Sequence, residues 1–184
     1  MAVTEIKLGG FGGQGVILAG IIIGKAASIF DNKHATLTQS FGPEARGSSC
    51  SAQLVVADDT ILYPYVQHPD IMVLMSQDAY RRFSHEIKPG GILIIEEDLV
   101  EVGEVPVGAK IFRIPATKLA EELGRKMVLN IVMVGFFVAV TKLIDDEAMK
   151  KAVEDSVPPG TAEINIKAYE RGYAYGLASQ ISAA

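Results

Sequence analysis

Apolar positions along the 184-residue chain fall into short blocks separated by glycine, proline and charged residues. The block at residues 3–8 reads as a strand, and a helical pattern opens at Val16 and runs to about residue 30. Residues 35–39 read as the next strand, and residues 50–57 with 60–63 as a hairpin around Asp58 and Asp59. Residues 71–75 are short and continuously apolar, the signature of a strand covered on both faces by helices. Ser76 is placed to cap a helix reaching about residue 84; Pro89, Gly90 and Gly91 then turn the chain into a buried strand at 92–95. After a strand at 111–114 comes a helix at 115–123, with Pro115 in its first turn and Gly124 at its end. Helices dominate from there, at 128–144, 146–154 and 163–181, with the last two separated by the break at 156–160. In the final helix Ile166, Tyr169, Tyr173 and Leu177 recur on one face as packing anchors. The alternation predicts the α/β class: a Rossmann-like, mostly parallel sheet flanked by helices, with a helical C-terminal part, in one domain over residues 1–184.

Between the first strand and the first helix the chain reads Gly10-Phe11-Gly12-Gly13-Gln14-Gly15. Gly10, Gly12 and Gly15 satisfy G-x-G-x-x-G in the context that gives the pattern meaning, a tight turn from a strand into a helix N-terminus. Unpaired amides and the positive end of the macrodipole favour a phosphate or another anion there. The same glycines serve equally well for a tight turn and close helix-to-sheet packing. A dinucleotide site needs an acidic residue about 20 positions further on, at the tip of the second strand, to take the ribose hydroxyls. That strand ends in Gln39-Ser40, with Asp31 before it and Glu44 after it, so a stand-alone nicotinamide or flavin reductase becomes the runner-up. The stretch that follows packs turn-forming and charged residues together, from Ser40 and Phe41 through Gly42, Pro43 and Glu44 to Ala45, Arg46 and Gly47. Gly42-Pro43 marks a turn, Arg46 offers a planar fork of donors for phosphate or carboxylate, and Gly47 lets backbone come close to whatever Arg46 holds. The plainer alternative is a solvated Glu44–Arg46 pair on a surface loop.

Composition narrows the partners. At 49% hydrophobic and 21% charged residues the chain can bury one good core. A net charge of -5 argues against nucleic acid, and Arg81-Arg82 and Arg125-Lys126 read as solvated helix ends. Cys50 is the single cysteine, which excludes a disulfide framework, a cluster of four thiolates and an ordinary zinc site; it reads as a buried thiol at a strand start in a cytoplasmic protein. His34, His68 and His85 lie far apart and read as surface or turn residues. Ser76-Gln77 and Glu96-Glu97-Asp98 are placed at the carboxyl ends of their strands, Ser76 as a helix cap and the three acids as a solvated turn. No signal peptide is expected before Val3, and the apolar stretch 128–144 falls short of a bilayer span.

The glycine motif, the stretch from Gln39 to Gly47, and the later Pro69-Asp70-Ile71 and Ser76-Gln77 together resemble the gamma subunit of 2-oxoacid:ferredoxin oxidoreductases, with most likeness to the 2-oxoglutarate branch. The resemblance runs from about Glu5 to Leu177; where the family's loop usually carries two glycines after the arginine, this chain has Gly47-Ser48-Ser49. It implies a complex that converts a 2-oxoacid and coenzyme A to an acyl-coenzyme A and carbon dioxide with thiamine diphosphate and magnesium, passing electrons through iron-sulfur clusters to ferredoxin. None of these cofactors is expected on this chain alone; they would reside with alpha and beta subunits, and a ferredoxin-like delta subunit is a further candidate partner. The resemblance assigns this chain no catalytic residue and no metal ligand. It suggests a binding or gating role, in which Gly10, Gly12, Gly13, Gln14, Gly15, Ser40, Gly42, Pro43, Glu44, Arg46 and Gly47 help hold coenzyme A phosphates or close over a shared site. The rival within the family is a purely structural interface subunit.

Overall fold

In the computed structural model, residues 3–42 and 48–182 are described. One sheet of six strands carries the fold: β1 (Val3–Phe11), β2 (His34–Phe41), β3 (Ser49–Ala57), β4 (Ile71–Leu74), β5 (Ile92–Glu96) and β6 (Lys110–Ile114), in the order β2-β3-β1-β4-β5-β6. β1, β4, β5 and β6 are mutually parallel, whereas β3 runs antiparallel to both its neighbours.

Two expectations change here. Residues 60–63 form no strand; the hairpin is β2–β3, with Phe41 opposite Cys50 and His34 opposite Ala57. Leu62 is 92% exposed, so the apolar residues of that segment have no face to bury. The second strand is also longer than residues 35–39 and lies at the outer edge of the sheet, two places from β1, because β3 takes the slot beside β1.

Side-chain alternation divides the core between the two faces of the sheet. Ile6, Leu8, Leu54, Val56, Ile71, Val73 and Ile94 meet the helices α1 (Val16–Lys25), α3 (Ala116–Glu122), α4 (Leu129–Thr141), α5 (Asp146–Ser156) and α6 (Ala162–Ser182). Met72, Leu74, Leu93 and Ile95 pack on the opposite face against Ala79 and Tyr80 of α2 (Gln77–Phe83). On that same face Lys7 is buried with its ammonium 4.0 Å from the Phe83 ring centre and paired to Glu86.

Every α4 residue from Leu129 to Val140 is buried, which explains why this helix has no polar stripe: sheet and helices cover it on all sides. Its contact with α6 is very close. A Cβ built on Gly135 would fall 2.0 Å from the Tyr169 carbonyl oxygen, and one on Gly172 would fall 1.9 Å from that of Val132. The buried face of α6 therefore runs through Asn165, Ala168, Tyr169, Gly172 and Gly176. Tyr169 is a packing anchor as expected, its hydroxyl donating to Asp146 at 2.7 Å, but Leu177 is 40% exposed and lies off the face. A face built on glycines carries no hydrophobic periodicity, so the apolar pattern pointed to the wrong residue.

Candidate functional site

The glycine segment forms the turn from β1 into α1, and Gly10, Gly13 and Gly15 each have a steric reason. A Cβ on Gly10 would lie 2.6 Å from Gln14 Oε1 and 2.8 Å from Val16 Cγ2. Gly13 and Gly15 have φ of 101° and 74°, the left-handed region that side chains disfavour. Gly15 is the N-cap of α1, and its missing Cβ leaves room for Asn130, whose Nδ2 donates to the Gly15 carbonyl at 3.3 Å. Gln14 closes the loop: its Oε1 accepts from the Phe11 N–H at 2.7 Å and its Nε2 donates to the Met75 carbonyl at 2.7 Å. That clamp joins the carboxyl ends of β1 and β4, the edge at which open parallel sheets bind ligands. No partner among the described residues accepts from the N–H groups of Gly13, Gly15 and Val16. α1 also has no acidic residue in its first turn, so its positive end is open to an anion.

The residues on either side of Pro43–Gly47 lie beside the glycine turn. Gly12 N–H donates to the Ser48 carbonyl at 2.9 Å, and Gly42 N–H to that of Ser49 at 3.0 Å. Across the strands Gly9, Ser51 and Ser40 form one register row and Gly10, Cys50 and Phe41 the next. The turn out of β1, the end of β2 and the start of β3 thus share one corner of the sheet, with Ser40 exposed on its rim. Pro43, Glu44, Arg46 and Gly47 lie outside the described residues. Because β2 is an edge strand separated from β1, the position at which a Rossmann fold would carry its ribose-binding acid is not the tip at Gln39-Ser40.

Ser76 is the expected N-cap of α2, accepting from the Ala79 N–H at 3.2 Å. Gln77 is bonded through both ends of its amide to the Glu101 backbone. Glu97 and Asp98 are exposed, but Glu96 is not part of a solvated turn: it is 0% exposed. Its Oε1 accepts from the Thr117 N–H at 3.0 Å, because α3 starts after Pro115, whose side chain cannot cap, and the strand tip supplies the missing acceptor. Glu96 Oε2 and Thr117 Oγ1 are buried with no hydrogen-bond partner among the described residues. Cys50 is buried opposite Gly10, and burial raises its thiol pKa, which suits a packing residue rather than a nucleophile. Asn130 was legible only as an interruption of an apolar run; the structure makes it the strut between α4 and the glycine turn.

Residues 5–175 match the family model for pyruvate ferredoxin/flavodoxin oxidoreductase. The chain is 47% identical over 171 residues to the 2-oxoglutarate synthase subunit KorC of Methanocaldococcus jannaschii, covering 92% of this chain and 91% of that one. Its structure is similar to the gamma subunit of a keto/oxoacid ferredoxin oxidoreductase from Geobacter sulfurreducens, with a TM-score of 0.83 and 36% identity over 95% of this chain and 99% of the other. A likeness of fold alone, at 21% identity and a TM-score of 0.87, extends to the 2-oxoglutarate:ferredoxin oxidoreductase of Magnetococcus marinus, solved with 2-oxoglutarate, coenzyme A and succinyl-CoA bound. There 97% of this chain matches 32% of the other, so the same fold is part of a longer polypeptide. With its six-stranded sheet and its glycine turn, this chain belongs to the pyruvate ferredoxin/flavodoxin oxidoreductase family as a gamma-type subunit of a 2-oxoacid:ferredoxin oxidoreductase.

Proposed function

We propose that this chain serves a 2-oxoglutarate:ferredoxin oxidoreductase, in which it holds the phosphates of coenzyme A at the corner between the glycine turn and the β2–β3 connection. The observation that carries the reading is the open glycine turn: no described residue accepts from the amides of Gly13, Gly15 and Val16, and Ser48, which follows Arg46 and Gly47 in the sequence, accepts from the Gly12 N–H in the same turn. A diphosphate fits such a place, since left-handed glycines let backbone donors reach it and the α1 dipole favours its charge. The name of the 47% identical relative supports the choice of 2-oxoglutarate. Oxidative decarboxylation itself would run on partner subunits carrying thiamine diphosphate and iron-sulfur clusters; the single buried Cys50 cannot supply a cluster's thiolates.

A second reading has a specific observation behind it. Gly12 N–H and both ends of the Gln14 amide are engaged within the fold, as they would be in a subunit whose glycine turn serves only to shape an interface. Kinetics of the assembled complex separate the two. Arg46→Ala should raise the KM for coenzyme A by about 10- to 150-fold, equivalent to roughly 1.5–3 kcal/mol of charge-assisted hydrogen bonding. Arg46→Lys should recover only part of it, because a point charge does not reproduce the bidentate fork. Unchanged kinetics towards coenzyme A and oxoacid would leave the interface reading standing.

A further inference from the structure

The sheet has two edges, and only one is guarded. β6, five residues long, carries Lys110 and Arg113, both exposed, and charges of that kind discourage a further strand from pairing. β2 is eight residues long, keeps register with β3 from His34 to Phe41 without a bulge, and contains no proline, lysine, arginine or carboxylate. The bond from the Gly42 N–H to the Ser49 carbonyl fixes which residues of β2 face β3. They are the even-numbered ones, so the N–H and C=O groups of Ala35, Leu37, Gln39 and Phe41 point away from the sheet. Among the described residues none bonds to these outward groups. A row of free backbone donors and acceptors asks for one kind of occupant, an extended strand.

The two ends of β2 say which strand. At its carboxyl end Phe41 is 67% exposed, and alternation puts its side chain on the helical side of the sheet with those of Ala35 and Leu37. At its amino end is a hollow of about 500 Å³ lined by Ser28, Lys33, Ala35, Thr36, Thr60 and Ile61. An exposed ring at one end and a hollow at the other are brought together when the strand pairs antiparallel with its own copy.

We propose that β2 seats a second copy of this chain, the two β2 strands pairing antiparallel across a twofold axis into a sheet continuous through both copies. In the register that uses every outward residue, Ala35 lies opposite Phe41 of the second copy and Leu37 opposite its Gln39, so each Phe41 ring enters the hollow beside the other chain's Ala35. On the other face Thr38 falls on the axis opposite itself, and Thr36 opposite Ser40, which sets small hydroxyl side chains against one another. The chain has a net charge of -5, and an uncharged edge is where two identical surfaces meet without repulsion. This pairing is independent of the coenzyme A reading above.

The test uses the full chain. Light scattering and sedimentation at micromolar concentration should give twice the mass of one chain. Gln39→Pro removes an outward N–H and sets a ring on the edge while leaving the ladder to β3 whole, so it should raise the dimer dissociation constant by about tenfold or more. Phe41→Ser, at an exposed position, should raise it severalfold and carries the test if the proline variant does not fold. In a Cys50→Ala background Thr38→Cys should form an intermolecular disulfide under mild oxidation, because residues opposite one another across the axis come within bridging distance. Ser40→Cys, about 13 Å from its own copy in this register, should not. A chain that is monomeric throughout, a dimer as tight in both edge variants as in the parent, or a disulfide at Ser40→Cys and none at Thr38→Cys overturns the pairing. Amides of β2 that exchange freely in the chain alone and become protected only when other subunits are added would assign the edge to one of those subunits and overturn the second copy.

Discussion

The α4–α6 contact makes a quantitative demand on Gly172. A methyl group there would sit 1.9 Å from the Val132 carbonyl oxygen, and that oxygen belongs to helix backbone that cannot rotate away. Restoring an ordinary carbon-to-oxygen separation of roughly 3.3 Å would push the helices apart by about 1.4 Å. Val132 and Phe136 sit at the centre of that contact and are fully buried, so the gap opens in the core itself. Strain of this kind costs about 3 kcal/mol, and the better helix propensity of alanine returns about 1 kcal/mol, leaving a loss of roughly 2 kcal/mol. For a chain of this size that lowers the melting temperature by roughly 4–8 °C. Calorimetry or denaturant titration of Gly172→Ala measures it directly, with Gly160→Ala as a comparison in which the added Cβ meets no neighbour but must adopt a φ of 80°. A Gly172→Ala chain at least as stable as the parent would mean that the helices are not held at this distance in solution.

Glu96 should respond to chemistry more than to size: Glu96→Ala removes the acceptor for Thr117 N–H and should cost about 1–3 kcal/mol, whereas Glu96→Gln keeps an acceptor on a side chain of the same shape, so it should be near neutral in the same melting experiment. Equal damage from both would contradict the capping role. Gln14→Leu leaves the Phe11 N–H and the Met75 carbonyl without their partners, and faster amide hydrogen exchange should appear in the turn while β5 and β6 stay protected. Because burial raises the Cys50 thiol pKa, the unfolded chain ionises first as pH rises, so the thiol's contribution to stability is intact below about pH 8.5 and declines above it. Cys50→Ala should flatten that decline in a pH series of unfolding curves, and an unchanged slope would assign it to other groups.

Most of the parallel sheet was legible because β4 and β5 are short unbroken apolar runs, which only a doubly covered strand requires. The glycine turn was legible because steric demand restricts its positions to residues without a side chain. The β2–β3 pairing was hidden, since strand partners depend on which edge buries apolar surface, and Leu62 and Tyr63 looked as suitable as Leu37 until their exposure was seen. Glu96 and Asn130 were hidden for a related reason: each is polar, and each is buried because a distant segment needs its hydrogen bond. Nothing nearby in the sequence marks such a need.

The strut from Asn130 to Gly15 spans 115 positions, and the clamp from Gln14 to Met75 spans 61. During synthesis the amino-terminal turn therefore leaves the ribosome long before either of its braces, and β1 must wait for β3 and β4 on its two sides. Non-local pairing of this kind slows folding and leaves strand edges open meanwhile. The corner at the glycine turn should thus be among the last parts of the chain to reach native geometry. Ribosome-stalled chains ending before residue 130 should still be cleaved readily by protease in the glycine turn, although the motif itself has been complete since residue 15.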